Sequence, residues 1–344
     1  MNNNQILNQL VNDKEKAAFK SMRTDMETGK AILNPEQFGQ FMRMASLDNT
    51  ILAEADFQYM KTLQKDLNTT GINGRVLTNG YKADGTTDPD IAEADVTFGA
   101  NELNARKLKA KCALEDDDKE DNIEGMSFEQ TLLSMMGERI GEDLEYWSLF
   151  GDTTISRSTN PLLNSGDGWV KKCSNKLESE GLNEESGNFD ISKGPETMFD
   201  AMIKALPARF RKNRSQLRFY VPFAVEDAYR NILMARGTTL GDSAQTGFNQ
   251  LYYKGIPLVH CHTLDADDAI SIDNSVTTLL TNPKNLAYGV YKNISVEPKR
   301  IAEDELTEYY FRMRGDVDFY FRNGSVVAKM TESEADDLPE LSLS

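Results

Sequence analysis

The longest regular run of apolar positions lies in the middle of the chain. Phe128, Leu132, Met135, Met136, Ile140, Leu144 and Trp147 recur every three or four residues, the spacing of one helix face. Ser127, with Gln130 three residues on, can cap its start, and Gly151-Asp152 closes it. One helix is predicted over 127–150, about 36 Å long at ~1.5 Å per residue. The first 67 residues also read as helical. Asn34-Pro35-Glu36 places a capping side chain before a proline at the first helical position, and Phe38, Phe41, Met42 and Ala45 then share a face. Asp48-Asn49-Thr50 can cap a further helix with the stripe Leu52, Phe57, Met60, Leu63 and Leu67, ended by Gly71. Pro195 opens a helix with Met198, Phe199, Met202, Ile203 and Leu206 inward. Pro222 opens another that runs to about Arg236, with Gly237 to end it.

Elsewhere the period shortens to two. Residues 71–100 hold Gly71, Gly74, Gly80, Gly85, Pro89 and Gly99 with few large apolar residues, which predicts an extended loop or hairpin leaving the main body. In the segment from Glu102 to Cys112, a strand puts Leu103, Ala105, Lys107, Lys109 and Lys111 on one face and Leu108 and Ala110 on the other. Its lysines make it an exposed strand. Leu217–Val221, Tyr252–His260 and Val276–Thr281 are predicted strands, and Leu286–Pro298 one strand region. Thr307–Arg322 alternates large apolar and charged residues over an unusual length, and Val326–Lys329 is expected to close that sheet. Residues 151–194 read as an irregular connection, and 331–344 as a loose acidic tail. No internal repeat is visible.

Composition narrows the class. Thirty-eight basic and fifty-five acidic residues among 344 give a net charge of −17. Sixteen Phe, twelve Tyr and fourteen Met suffice for a real core, which excludes disorder throughout. The charge argues against a protein whose main task is gripping nucleic acid. No apolar run approaches the ~18 residues of a membrane span. The N-terminal MNNNQILNQLVNDKEK lacks a basic region followed by an apolar stretch, so no secretory signal is expected. Cys112, Cys173 and Cys261 are far apart and odd in number, which points to reduced thiols.

Candidate chemistry is sparse. His260-Cys261-His262, followed by Asp265 and Asp267, is the one metal-like cluster. On a strand His260 and His262 share a face and can chelate zinc with a carboxylate as third ligand, but no HExxH or CxxC accompanies them. The plainer reading is a strand end whose histidines meet solvent or a neighbour. Gly166-Asp167-Gly168 and Gly151-Asp152 lack a phosphate-loop frame and read as turns. Arg314-Gly315-Asp316 matches an adhesion tripeptide but sits in a predicted strand. No GxSxG elbow is present, and the Met-rich stripes fit core or adaptable interface. No metal, cofactor or catalytic residue is assigned.

The order of elements resembles the tailed-bacteriophage major capsid proteins of the Hong Kong 97-type fold. The pieces are LNPEQFGQFMRMASLDNTILAEADF after a helical arm, and FGANELNARKLKAKCAL as the returning strand of an extended loop. SFEQTLLSMMGERIGEDLEYWSLFGDTT resembles the spine helix with its closing Gly-Asp. TLLTNPKNLAYGVYKNISVEPKR and EYYFRMRGDVDFYFRNGSVVAK resemble the two long closing strands, with Arg314, Asp316 and Asp318 in the second. The resemblance covers most of residues 34–330.

It implies an α+β fold of six parts. These are an N-terminal arm over 1–70, an extended loop over 71–112, and a first peripheral part with the spine helix over 113–194. An axial domain over 195–285, peripheral strands over 286–330 and an acidic tail over 331–344 complete it. It implies a structural, non-enzymatic protein whose copies form hexamers and pentamers of an icosahedral head around double-stranded DNA, held without sequence specificity. Portal and scaffolding proteins, and decoration proteins, are the further expected partners, with assembly in the host cytoplasm and no membrane.

The residues expected at subunit contacts are Lys107, Lys109 and Lys111 of the loop, Arg209, Arg211 and Arg214 of a basic run, and Arg312 and Arg314. From Lys204 to Arg218 there are six basic residues and no acid, whereas residues 115–124 hold seven acids and one lysine; the two can pair on one subunit or between neighbours, or both be solvated faces. Two other readings are an encapsulin-like bacterial compartment shell and, further off, a soluble metal-dependent enzyme using His260 and His262.

Overall fold

The structure is a computed structural model. It describes residues 50–73, 95–115, 126–183, 187–235, 250–265, 275–291, 295–301, 303, 305–331 and 334. The predicted arm helix from Asn34, the acidic run beyond Glu115, Asp267 and most of the acidic tail lie outside these residues.

A short helix α1 (Thr50–Glu54) is followed by strand β1 (Asp56–Met60). Strands β2 (Gln64–Asn73) and β3 (Asp95–Asn104) form their own antiparallel two-stranded ribbon, with Gln64 opposite Asn104 and Asn73 opposite Asp95. Residues 56–60 and 64–67 are therefore strand where the spacing predicts helix. The intervals between Phe57, Met60, Leu63 and Leu67 suit a helix face, but β1 gives its backbone to parallel pairing with a distant strand. Leu67 turns inward from the ribbon instead, so tertiary pairing overrides a short local pattern.

Strand β4 (Arg106–Glu115) follows β3 after a break at Ala105, whose N–H donates to the Leu63 carbonyl at 2.8 Å. The break resets the alternation. Leu103 and Leu108 are both buried, whereas Lys107, Lys109 and Lys111 are exposed. The lysine face is as predicted; Leu103 does not share it.

The predicted spine helix is present as α2 (Met126–Phe150), 25 residues long. It ends where Gly168 donates its N–H to the Gly151 carbonyl at 2.7 Å. A Cβ on Gly151 would stand 2.5 Å from the Gly166 carbonyl oxygen, so this turn closes only with glycines. Helix α3 (Trp169–Lys172) and strand β5 (Asn175–Glu178) give the predicted irregular stretch some order. Helices α4 (Pro195–Ala205), α5 (Ala208–Arg211) and α6 (Phe223–Ala235) follow, with strand β6 (Arg218–Val221) between the last two. Strands β7 (Tyr252–Tyr253), β8 (Ile256–His260), β9 (Ser275–Thr281), β10 (Leu286–Tyr291), β11 (Ser295–Ile301), β12 (Leu306–Phe319) and β13 (Val326–Thr331) complete the chain.

One sheet runs β1-β10-β12-β11, with β4 on the far side of β12. The 14 residues of β12 let its first half lie between β11 and β4 while its second half pairs with β10. The other sheet runs β5-β13-β9-β6-β8-β7. Thus β13 does not close the first sheet, as its place after β12 suggests. The chain turns through Arg322–Gly324 and enters the second sheet between β5 and β9.

Three apolar clusters hold these layers. Ile140, Leu144 and Trp147 of α2 pack with Leu108, Phe311, Met313 and Phe319 of the first sheet and Tyr220, Leu279 and Val327 of the second. The spine helix is thereby buried against both sheets, each large side chain contributing about 1.5–3 kcal/mol. On the opposite face of the second sheet, Met198, Phe199 and Met202 of α4 and Val225 and Tyr229 of α6 cover Phe219, Val221, Leu280 and Ala328. Ile203 is only half-buried. The third cluster, Met60, Leu67, Leu103 and Ala287, sits where the β2–β3 ribbon leaves the body. Gly289 permits that approach, since a Cβ there would meet Leu103 at 2.7 Å and Met60 at 2.8 Å.

Candidate assembly surfaces

The antiparallel register of β4 and β12 sets Lys109 opposite Arg312 and Lys107 opposite Arg314. Like charges in direct opposition destabilise a strand pair. Arg312 finds a carboxylate in Glu297, at 3.0 Å. Lys107, Lys109 and Arg314 have no ion-pair partner among the described residues. One step along, Lys111 pairs with Glu308, whose second oxygen accepts the Tyr310 hydroxyl at 2.5 Å. The hydrogen bond to Glu308 raises the Lys111 amine above its usual range, and the same bond lowers the Glu308 carboxyl. Lys107 and Lys109 on the outer strand β4 thus share one sheet face with Arg312 and Arg314 of the central strand β12, while Lys111 is satisfied internally. Lysines on an edge strand also discourage indiscriminate strand pairing.

The basic run does not behave as a unit. Arg209 stacks on Phe210 and Phe321, 4.4 and 5.2 Å from the ring centroids, and donates to Asn323 Oδ1 at 3.2 Å. Arg218 lies 3.8 Å from Glu54. Lys212 and Arg214 are exposed and Arg211 half-exposed, none with an ion-pair partner among the described residues. The edge of β1 adds an apolar surface: Phe57 and Tyr59 are each 44% exposed and Leu63 in the following turn is 45% exposed.

Two buried polar knots hold these surfaces in place. At the root of the ribbon, Asp316 Oδ2 accepts the Asn104 N–H at 2.7 Å, and its other oxygen faces Lys172 at 3.2 Å. Burial pushes the Asp316 carboxyl up, against the opposing pull of Lys172 and of the bond from Asn104. Next to it, the fully buried Asp318 takes two bonds from Arg322, at 2.7 and 3.1 Å. Its backbone carbonyl accepts Trp169 Nε1 at 3.1 Å. The second knot is Glu145 on α2, 1% exposed. It accepts the N–H groups of Ile51 and Leu52 at 3.2 and 3.3 Å, the Thr263 hydroxyl at 2.8 Å and the Cys261 thiol at 3.3 Å. Burial, then the Glu145 charge, push the Cys261 thiol well above its ordinary range.

That knot also dismantles the metal-like cluster. Cys261 points into the core, and His260 pairs with Asp265 through Nε2. The other Asp265 oxygen accepts the Phe223 N–H at the start of α6, at 2.5 Å. His262 is exposed and separate. Among the described residues no three His, Cys, Asp or Glu side chains are gathered to hold a metal ion. The three cysteines are free, and no described helix is long and apolar enough to cross a membrane.

Sequence reasoning assigned neither knot its role. Glu145 looks like one acid among fifty-five, and Asp316 and Asp318 stood out only through the resemblance, with no partner attached. For Glu145 the available signal was positional, since it lies on the helix face of Gly141, Leu144 and Leu149; Asp316 alternates with Arg312, Arg314 and Asp318 on the charged face of its strand and gave no such signal.

No protein-family model matches the chain. A curated relative, the putative prophage capsid protein YqbE of Bacillus subtilis strain 168, is 26% identical over 311 residues, covering 89% of this chain and 94% of that protein. Among solved structures, the satellite phage P4 procapsid including the size determination (Sid) protein superposes with a TM-score of 0.58 at 13% identity, over 85% of this chain and 99% of that one. The capsid of the native GTA particle superposes with a TM-score of 0.57 at 13% identity, over 84% and 90%. The chain has the tailed-phage capsid fold, and its sequence is similar to that of a putative prophage capsid protein. Its role is structural, that of a subunit in a shell of many copies within a virion. Lys107, Lys109 and Arg314, without ion-pair partners among the described residues, and the exposed aromatics on β1 are the candidate contact surfaces, and the buried carboxylates tie together the elements that carry them.

Proposed function

We propose that this capsid chain builds the icosahedral head of a tailed bacteriophage, as hexamers and pentamers that enclose double-stranded DNA without reading its sequence. In this reading residues 113–194 and 286–330 make the peripheral domain around α2, and 195–285 the axial domain. The 1–70 segment and the 71–112 loop reach over neighbours. The supporting observation is a long helix buried against two sheets, with a separate β2–β3 ribbon projecting from its own small core. Such an interlocking outline suits shells in which many modest contacts add up. Lys107, Lys109, Arg312 and Arg314 on one face of the first sheet, and Arg209, Arg211 and Arg214 near α5, are the proposed subunit-contact residues, with Lys111 contributing through its pair to Glu308. Portal, scaffolding and decoration proteins are the further partners, and assembly takes place in the host cytoplasm.

A net charge of −17 keeps the inner wall from gripping the genome. The test is electron microscopy of the chain expressed alone and with a co-expressed scaffolding protein. Closed shells, tubes or hexamer-sized rings in either sample support the reading. A monomer or dimer in both, at high concentration, overturns it.

A further inference from the structure

Three cations stand together at one end of the molecule without a counter-charge. Arg211, Lys212 and Arg214 lie at the end of α5 and in the turn to β6, Lys212 and Arg214 exposed and Arg211 half-exposed. None has an ion-pair partner among the described residues. The turn is firmly seated. Phe210 packs against Phe321 with ring centroids 5.6 Å apart, and over Gly324, where a Cβ would stand 3.1 Å from its ring. Beyond Arg214, Gln216 Oε1 accepts Asn282 Nδ2 at 3.5 Å. The side chains that make these contacts are neutral, and no acid occurs between residues 204 and 218. Packing fixes the turn, and its three charges are left unneutralised.

The densest negative stretch of the chain is 115–124, with seven acids and one lysine. Covalent geometry keeps it from the basic turn of its own subunit. The described residues that flank it are Glu115, at the end of β4, and Met126, at the start of α2. Glu115 pairs with Leu306 at the start of β12, whereas Phe321 lies just past the last residue of β12, Phe319. The 14 residues of that strand, at ~3.3 Å per step, separate its two ends by roughly 43 Å. Helix α2 runs the same way. Ile140 and Leu144 lie beside Phe311 and Met313, and past its end Trp169 Nε1 donates to the Asp318 carbonyl. Met126 therefore stands about 36 Å from the end that neighbours the basic turn. A segment tied at Glu115 and Met126 can place no Cα more than about 18 Å from the nearer of the two, at ~3.6 Å per residue. An arginine and a carboxylate side chain do not span what remains.

We propose that the basic turn over 209–214 receives the acidic stretch 115–124 of a neighbouring copy of this chain. This rests on the reading of the chain as a shell subunit, which supplies neighbours in a fixed orientation. The two halves of the contact lie at opposite ends of one subunit, so the contact is heterologous and every copy offers both halves. Exposed ion pairs are weak singly, and repetition around a closed ring is what makes them count.

The test mixes ¹⁴N- and ¹⁵N-labelled full-length chains before assembly and treats the particles with a carbodiimide, which joins an amine to a carboxylate in contact. Mass spectrometry should find Lys212 joined to the 115–124 peptide in pairs of mixed isotope. Arg211→Glu, Lys212→Glu and Arg214→Glu together should lower particle yield about tenfold or more, as should Asp116→Lys, Asp117→Lys and Asp118→Lys together, because like charges then face each other. One chain carrying both sets should recover yield. Melting temperature checks that the variants fold, and the cross-link on wild type decides the matter if they do not. Particles that lack the mixed-isotope cross-link, or wild-type yields from both sets, overturn this contact alone. Wild-type yields from the basic-turn set with less DNA per particle assign the turn to the genome and overturn it as well. A wild-type chain that never forms particles overturns the shell reading itself.

Discussion

Glu145 accepts the N–H of Ile51 from 94 residues away in sequence, at 3.2 Å. The same carboxylate holds Leu52, Cys261 and Thr263. It therefore ties the segment entering the body to the spine helix and to the turn after β8. Removing an acceptor leaves buried donors unmet, at about 1–3 kcal/mol each. Glu145→Ala should cost several kcal/mol in urea denaturation and abolish shells. Glu145→Gln, which keeps one acceptor oxygen, should lose distinctly less. Equal losses for the two variants would mean that packing, not acceptance, is what Glu145 supplies.

The cationic ladder predicts opposite effects on the subunit and on the assembly. Lys109 faces Arg312, and Lys107 faces Arg314. Replacing one lysine with glutamate converts a repulsive cross-strand pair into an attractive one, a change of about 0.2–1 kcal/mol. Lys109→Glu and Lys107→Glu should melt at or above the wild-type temperature while the yield of closed shells falls. Shell yields that match wild type would remove these residues from the contact surface.

At the root of the ribbon, Lys172 stands between Asp316 and Asp318, 3.2 and 3.8 Å away. Lys172→Met leaves two buried carboxylates with one fewer cation, and breaking such a pair costs about 3–5 kcal/mol. Asp316→Asn keeps an oxygen for the Asn104 N–H and removes a charge that burial already disfavours. It should be the milder of the two in thermal melting. Because the Asp316 carboxyl is raised by burial, the stability cost of ionising it is relieved as pH falls through its raised value. Acidification alone should therefore not open this root.

Much of this was legible in the sequence and part was not. The spine helix was readable because α2 is long, and seven apolar positions at one period leave little ambiguity. The lysine alternation of β4 and the openings of α4 and α6 at Pro195 and Pro222 were readable for the same reason, since local chemistry agreed with the fold. Residues 56–67 were misread because intervals of three and four between Phe57, Met60, Leu63 and Leu67 imitate a helix face, and only the distant partners β10 and β3 decide. The place of β13 was misread because nothing local says which sheet a strand after a turn will join. For the candidate contact residues, identities were legible but pairings were not. It could not show that Lys111 is spent on Glu308, or that Arg209 is held by Phe210 and Phe321.

The metal-like motif resolves into a helix cap. Asp265 accepts the Phe223 N–H and pairs with His260. Loss of such a cap costs about 1 kcal/mol, so Asp265→Ala should lower the melting temperature by a few degrees. His262→Ala, at an exposed side chain, should leave it unchanged. Elemental analysis of the purified chain should find no stoichiometric zinc, and stoichiometric zinc lost on His262→Ala would restore the metal-site reading.

Acid sensitivity should come from the turn that closes the spine helix. Burial works to raise the Asp167 carboxyl, but hydrogen bonds from Lys171 and Thr153 outweigh it and hold it at about 2, below its ordinary 3.8. Asp152 is lowered by the same lysine and by Thr154, again against burial. A carboxyl depressed in the folded state contributes stability above its unfolded value and loses it as pH falls through the folded one. The loss for Asp167 therefore falls between 3.8 and about 2. Asp167→Asn should flatten the stability profile in that window, leaving the profile above pH ~5 parallel to wild type. Both side chains are about a third exposed, so each pair should contribute under about 1 kcal/mol. Denaturant midpoints measured at half-unit steps of pH would show it, and a profile of Asp167→Asn that tracks wild type through the acid range would place the acid-labile groups elsewhere in the shell protein.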